Sequence, residues 1–150
     1  MDANQPVIFS FYSPEIEAAR EKAWNESKPV ADTLPKPESS VIAPFLPTEL
    51  CDDLIDVVIK EYPKVFRMIS SKAYIPKSVS KCRRGGLVYF PGKPDIGMFY
   101  TIVIPLHVSG MVKIGDEVID TNHIYNVLSS CFVEVPDGGK FAALIMDKIE

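Results

Sequence analysis

Histidine is nearly missing from this chain: His107 and His123 are the only two in 150 residues. A site built on converging imidazoles therefore has few ways to form. Cysteine is scarce as well. Cys51, Cys82 and Cys131 are odd in number and far apart, which fits neither a disulfide framework nor the paired spacing of a zinc site. They read as free thiols in a reducing cytosol. No apolar run approaches the about 18 residues that cross a membrane. Met1-Asp2-Ala3-Asn4-Gln5 has no basic stretch leading into an apolar one, so it does not read as a secretory signal. Neither Gly-x-x-x-x-Gly-Lys nor Gly-x-Ser-x-Gly occurs, which removes the phosphate loop and the serine-hydrolase elbow.

What is present is an ordinary globular balance, 47% apolar and 24% charged, enough for one domain with a real core. The net charge of −4 hides a layered distribution. Residues 1–59 carry −7, residues 60–84 carry +7 and residues 85–150 carry −4. The basic band (Lys60, Lys64, Arg67, Lys72, Lys77, Lys81, Arg83, Arg84) can bind an outside anion, its own acidic flanks, or those of another copy. An acidic chain without an aromatic-rich RNA motif argues against nucleic acid.

Along the chain, Val7-Ile8-Phe9-Ser10-Phe11-Tyr12 reads as a strand. Ser13 can cap a helix whose first turn accepts Pro14, and Ile16, Ala19, Ala23 and Trp24 form one apolar stripe. That stripe needs a surface, its own domain's or a partner's. Pro29, Pro35, Pro37, Pro44 and Pro47 predict an extended linker over residues 27–48. Residues 1–40 are then either an arm reaching across a neighbour, the preferred reading, or a wrap around the chain's own fold. Thr48 caps the clearest helix, expected over 48–62 and ended by Tyr62-Pro63. Val65-Phe66 and Tyr74-Ile75 are possible short strands.

After Gly85-Gly86 the period becomes two. Strands are expected at 87–90, 98–108, 111–114, 117–119, 124–128, 131–135 and 140–146, with Gly115-Asp116 as a two-residue hairpin turn. Pro105 demotes the end of the longest strand to an edge, or bends it where its ladder is open. Short strands at this spacing indicate an antiparallel sandwich or barrel.

Phe45-Leu46-Pro47-Thr48-Glu49-Leu50-Cys51 followed by an apolar helix resembles the leading helix of 2-oxoglutarate- and iron-dependent oxygenases. Val135-x-x-Gly138-x-Lys140-Phe141-Ala142 resembles the end of that fold, which implies that Lys140 holds a co-substrate carboxylate. The family's distal iron histidine falls at Ser130, and the segment that should carry its His-x-Asp offers only Asp95. Pro136-x-Gly138-x-x-Phe141 is similar to the second cupin motif, with Phe141 at the metal-histidine position. A facial triad needs two imidazoles and a carboxylate on one metal. The resemblance thus implies the double-stranded β-helix without its metal, and no cofactor is expected.

His107 and His123, with Asp95 or Glu117, can be arranged as an acid/base or metal pair if their strands fold back, although turns collect such residues anyway. Lys81-Cys82-Arg83-Arg84-Gly85-Gly86 can cradle phosphate. Cys51 sits among Glu49, Asp52 and Asp53, a poor setting for a thiolate.

The resulting expectation is a mainly β (α+β) protein: a small antiparallel jelly roll from about residue 64, one packed helix, and an N-terminal arm (1–40) before a body (41–150). Its expected function is non-enzymatic interaction or assembly, with itself or another protein, in the cytoplasm or as a virus-particle accessory or decoration protein. Ile16, Ala19, Trp24, Arg67, Arg83 and Arg84 would carry partner contact. The alternatives are an isomerase or divergent metal enzyme using His107, His123 and Lys140, and a small-ligand or nucleotide-binding inhibitor or sensor.

Overall fold

In a computed structural model, which describes residues 8–69, 75–97 and 99–149, two helices and ten strands form. Helix α1 (Pro14–Thr33) begins at Ser13, whose Oγ accepts from the Ile16 N–H. Helix α2 (Glu49–Met68) begins at Thr48, whose Oγ1 accepts from the Cys51 N–H at 3.3 Å. Its buried stripe is Cys51, Leu54, Ile55, Val58, Tyr62 and Val65, one face of a 3.6-residue period.

Both helices run through a proline that the sequence reading took as a stop. Pro29 and Pro63 lie on exposed faces, where the lost N–H bond leaves a carbonyl that water can reach. The stripe of α1 passes Pro29 in small residues: Ala23 and Ser27 before it and Ala31 after it are buried at four-residue steps. Ser27 is tolerated there because its Oγ lies 3.1 Å from the buried Cys51 Sγ of α2. The linker expected over 27–48 therefore shrinks to residues 34–41, and Val65-Phe66 is helical.

The helices pack antiparallel and cap each other. Glu26 of α1 accepts from the Leu50 N–H in the first turn of α2, and Ser13 Oγ donates to the buried Glu61 of α2 at 2.6 Å. Lys64 Nζ lies 2.9 Å from the other Glu61 oxygen. First the Ser13 bond and then Lys64 hold the Glu61 carboxyl below the usual glutamate range, against the upward push of burial.

The strands are β1 (Ile8–Phe11), β2 (Ile42–Phe45), β3 (Arg83–Tyr89), β4 (Asp95–Ile96), β5 (Thr101–Ser109), β6 (Lys113–Ile114), β7 (Glu117–Val118), β8 (Ile124–Val127), β9 (Cys131–Glu134) and β10 (Lys140–Asp147). They make a six-stranded sheet, β1-β8-β5-β10-β3-β2, and a four-stranded sheet, β4-β9-β6-β7, with every pairing antiparallel. From β3 onward the pairs nest about one hairpin: β6 with β7, β5 with β8, β4 with β9, β3 with β10. The chain is one long hairpin, rolled until β10 also meets β5 and β9 also meets β6. This is the connectivity of a double-sheet jelly roll, within the mainly β class expected. The central turn has Gly115 at φ 60° as its first corner, as expected.

Alternate residues of β10 face two separate cores. Phe141, Ala143 and Ile145 point between the sheets, while Ala142, Leu144 and Met146 point at the helices. This is why 141–146 reads as an unbroken apolar run. Pro105 sits beyond Val103, where pairing with β8 ends, and beside a register shift against β10. The bulge leaves Leu106 and His107 both on the helix side. Strand β3 starts at Arg83, earlier than the expected residue 87, because Gly85 and Gly86 belong to it. A Cβ on Gly86 would stand 2.6 Å from the Phe45 ring, so the glycine lets β2 close over β3. Of Tyr74-Ile75, Tyr74 lies outside the described residues and Ile75 is in no strand; Met98 also lies outside them.

The expected arm folds back on its own chain. Strand β1 pairs with β8, and Ile16, Ala23 and Ala31 of α1 are buried in the core shared with α2 and the sheet. Among residues 8–33 nothing is left as a free clasp.

Glu61→Gln should lower stability at neutral pH by about 1–3 kcal/mol, through weakened bonds to Ser13 and Lys64. Because the folded Glu61 pKa is depressed, its contribution is complete above about pH 4.3 and is lost as pH falls through the lower folded value. Urea midpoints measured across that range should therefore fall more steeply for the wild type than for the variant. Parallel curves would contradict this assignment.

Candidate functional site

The two sheets part at the end of the roll where β3 and β5 begin and β10 ends, leaving a cavity of about 440 Å³. Its walls are Leu87, Tyr89 and Ile145 from the large sheet, with Ile42, Ile96 and Phe99 around them. Alternation puts Arg83, Leu87 and Tyr89 on one side of β3, and Ile145 and Asp147 on the matching side of β10. At the rim, Arg83 grips Asp147 bidentately at 2.8 and 2.6 Å. Thr101 spends its hydroxyl on the Phe99 carbonyl at 2.8 Å.

Tyr89 is only 2% exposed, and its ring stacks on Phe141 with centroids 5.4 Å apart. Burial, with a smaller contribution from the Asp147 charge, pushes its phenol well above the ordinary tyrosine range, so it remains protonated.

Positions singled out through the family resemblance gather at this mouth with the wrong chemistry. Asp95 and Ser130 both line it. Asp95, however, pairs opposite the exposed Phe132 on the outward face of its sheet, so it reaches only the rim. Phe141 is buried beneath Tyr89. Lys140 has the opposite parity to Phe141 and Ile145 and leaves the roll altogether. Its Nζ donates to the Ala31 carbonyl of α1 at 3.3 Å and lies 5.4 Å from the Phe90 ring centre. The co-substrate role implied for Lys140 is therefore corrected: strand register aims it at the helix layer.

The two histidines do not share a site. His107 stacks on Trp24 of α1, centroids 4.9 Å apart and planes within 6°. His123 sits at the surface, its Nδ1 2.9 Å from Asp120 Oδ1, with the Tyr12 ring 6.1 Å away. Partial burial pushes the Asp120 carboxyl up, but the bonds from His123 and the Asn122 N–H outweigh it and hold it low. Among the described residues, no group of three or more His, Cys, Asp or Glu side chains is placed to hold a metal ion.

The residues expected to bind a partner are used within the chain, with one exception. Ile16 is buried, and Ala19 and Trp24 are half-buried against the same core. Arg83 pairs with Asp147, while Arg84 reaches Asp52 and Asp56 on α2 at 3.4 and 3.2 Å. Arg67 is exposed and has no ion pair among the described residues. Part of the basic band thus satisfies the chain's own acidic flank.

Sequence reasoning gave no role to Tyr89, nor to a buried bridge in which Tyr100 donates to Asn126 and Asn126 donates to the Phe9 carbonyl at 3.0 Å. The alternation Leu87/Tyr89 carried the signal for the first; nothing local carried one for the second.

Neither a protein-family model nor a curated protein matches this chain. No helix among the described residues is long and apolar enough to cross a membrane.

The cysteines have no nucleophilic setting. Cys51 is fully buried, and burial pushes the Cys82 and Cys131 thiols up, only partly offset by Arg84 beside Cys82. Iodoacetamide at neutral pH should modify Cys82 and Cys131 of the folded protein more slowly than free cysteine, with Cys51 reacting only after unfolding. Rapid labelling of one native thiol, read by intact mass, would contradict this.

Proposed function

We propose that this chain acts by binding and not by catalysis: a rigid roll that joins a larger assembly through the outward face of its four-stranded sheet. The observation that carries this reading is the contrast between the two sheets. The helices cover the outer side of the large sheet, whereas among the described residues no element covers the outer side of the small one. Cross-strand pairing puts Lys113, Val118 and Glu134 on that outer side, and alternation adds Phe132. Val118 is 54% and Phe132 49% exposed, and the nearby Met111 64%. A concavity of about 720 Å³ beside the Gly115-Asp116 turn joins Lys93, Lys113, Phe132 and Glu134 of this face to Ile8, Glu117 and Cys131 around its edge. Apolar side chains ringed by charges of both signs make a surface suited to a protein partner or a second copy.

The short edge strand β7 is also open, and an uncovered edge favours association. Supporting the non-catalytic reading, Lys140 and His107 are committed to helix α1, and His123 to Asp120. The same reading puts the protein in the cytoplasm or on a virus particle as an accessory component, with itself or another protein as partner. The small sheet then takes the clasping role expected of residues 1–40.

Light scattering over a concentration series should give a mass above the 16.7 kDa monomer for the wild type. Val118→Asp with Phe132→Asp should return it to the monomer mass with the circular dichroism spectrum unchanged. A wild type that stays monomeric throughout, or a double variant that still associates, would contradict a self-assembling face.

A further inference from the structure

We propose that the mouth of the roll binds a small, uncharged, mainly apolar molecule that presents one oxygen acceptor to the Tyr89 hydroxyl. This site lies between the sheets and is independent of the outward face argued above. Tyr89 is 2% exposed, and no side chain or backbone group among the described residues bonds to its hydroxyl. The hydroxyl is not sealed in the core, since among the described residues Arg20 Nε is the one buried side-chain polar atom without a partner; the phenol opens to the cavity, and what fills the cavity must supply its hydrogen bond. Here the hydroxyl belongs to a residue lining a cavity of about 440 Å³. That volume is within the range of about 300–1,000 Å³ typical of small-molecule sites.

The remaining walls decide the ligand's character. Leu87, Ile145, Ile96 and Phe99 offer apolar surface, and Thr101 is already bonded to Phe99. Arg83 and Asp147 neutralise each other at the rim through two bonds. The other two charged residues of the lining, Asp95 and Lys148, are exposed at the rim and opposite in sign, so an entering ion of either kind would leave water to meet a like charge as well as a counter-charge. An uncharged ligand avoids both costs. Tyr89 then acts as the buried orienting donor beside the apolar walls, while the Ser130 hydroxyl and the Lys148 amine lie exposed at the rim.

Acetophenone and ethylbenzene form a suitable probe pair, since they differ chiefly by a carbonyl in place of a methylene. Phenylacetate and benzylamine serve as the charged counterparts. Titrations of the full chain followed by NMR should show acetophenone binding about three- to tenfold tighter than ethylbenzene, and both charged probes binding more weakly than acetophenone. Tyr89→Phe removes only the hydroxyl, so it should reduce acetophenone to the ethylbenzene level and leave ethylbenzene unchanged. Phe99→Ala, at a rim position 65% exposed, should weaken both neutral probes without disturbing the fold. Equal binding of the two neutral probes would overturn the proposal. So would tighter binding of a charged probe, a carbonyl preference that survives Tyr89→Phe, no effect of Phe99→Ala, or no binding of acetophenone up to its solubility.

Discussion

The central strands of the large sheet are apolar on both sides, and such a sheet needs two covers. Strand β10 is buried from Phe141 through Met146, and β5 from Thr101 through Leu106. The four-stranded sheet covers one face and closes the roll. The antiparallel pair α1–α2 covers the other, which makes the N-terminal segment part of the core instead of an appendage. The helices are fixed to each other by the Glu61–Ser13 and Glu26–Leu50 bonds, each satisfying polar groups that burial or a helix end would otherwise strand.

The same two-sided burial decides what the polar residues can do. Strand parity sends Lys140 out to Ala31, and the β5 bulge turns His107 out to Trp24, so both serve the helix–sheet contact. The inward parity of β3 and β10 leaves Leu87, Tyr89 and Ile145 at the roll's mouth, closed by the Arg83–Asp147 pair. The outer face of the small sheet is covered by no described element, and the proposed partner would meet it there.

Much of the architecture is legible in the sequence because it depends on local signals. Alternation and turn residues locate β8, β9 and β10; Gly115 marks the hairpin; Thr48 marks the start of α2. What escapes depends on tertiary contact. Prolines stop helices in general, yet Pro29 and Pro63 face solvent, and packing on the sheet sustains the turns beyond them. Ser27 looks polar in sequence and is buried because Cys51 lies opposite. Gly85-Gly86 looks like a boundary, whereas Gly86 is a strand residue making room for Phe45. The family-like phrases fall at the start of α2 and at the turn into β10, and one-residue parity decides that Lys140 faces the helix layer and that Asp95 reaches only the rim.

Residues between 8 and 40 form part of the core, and removing residues 1–40 tests this directly. A chain beginning at residue 41 uncovers Leu54, Val58, Ile104 and Leu144 on the helix side. It should lose cooperative unfolding and bind a hydrophobic dye such as ANS, as an incompletely packed protein does. A truncated chain that unfolds in one sharp transition at the wild-type midpoint would contradict the account and restore a detachable arm.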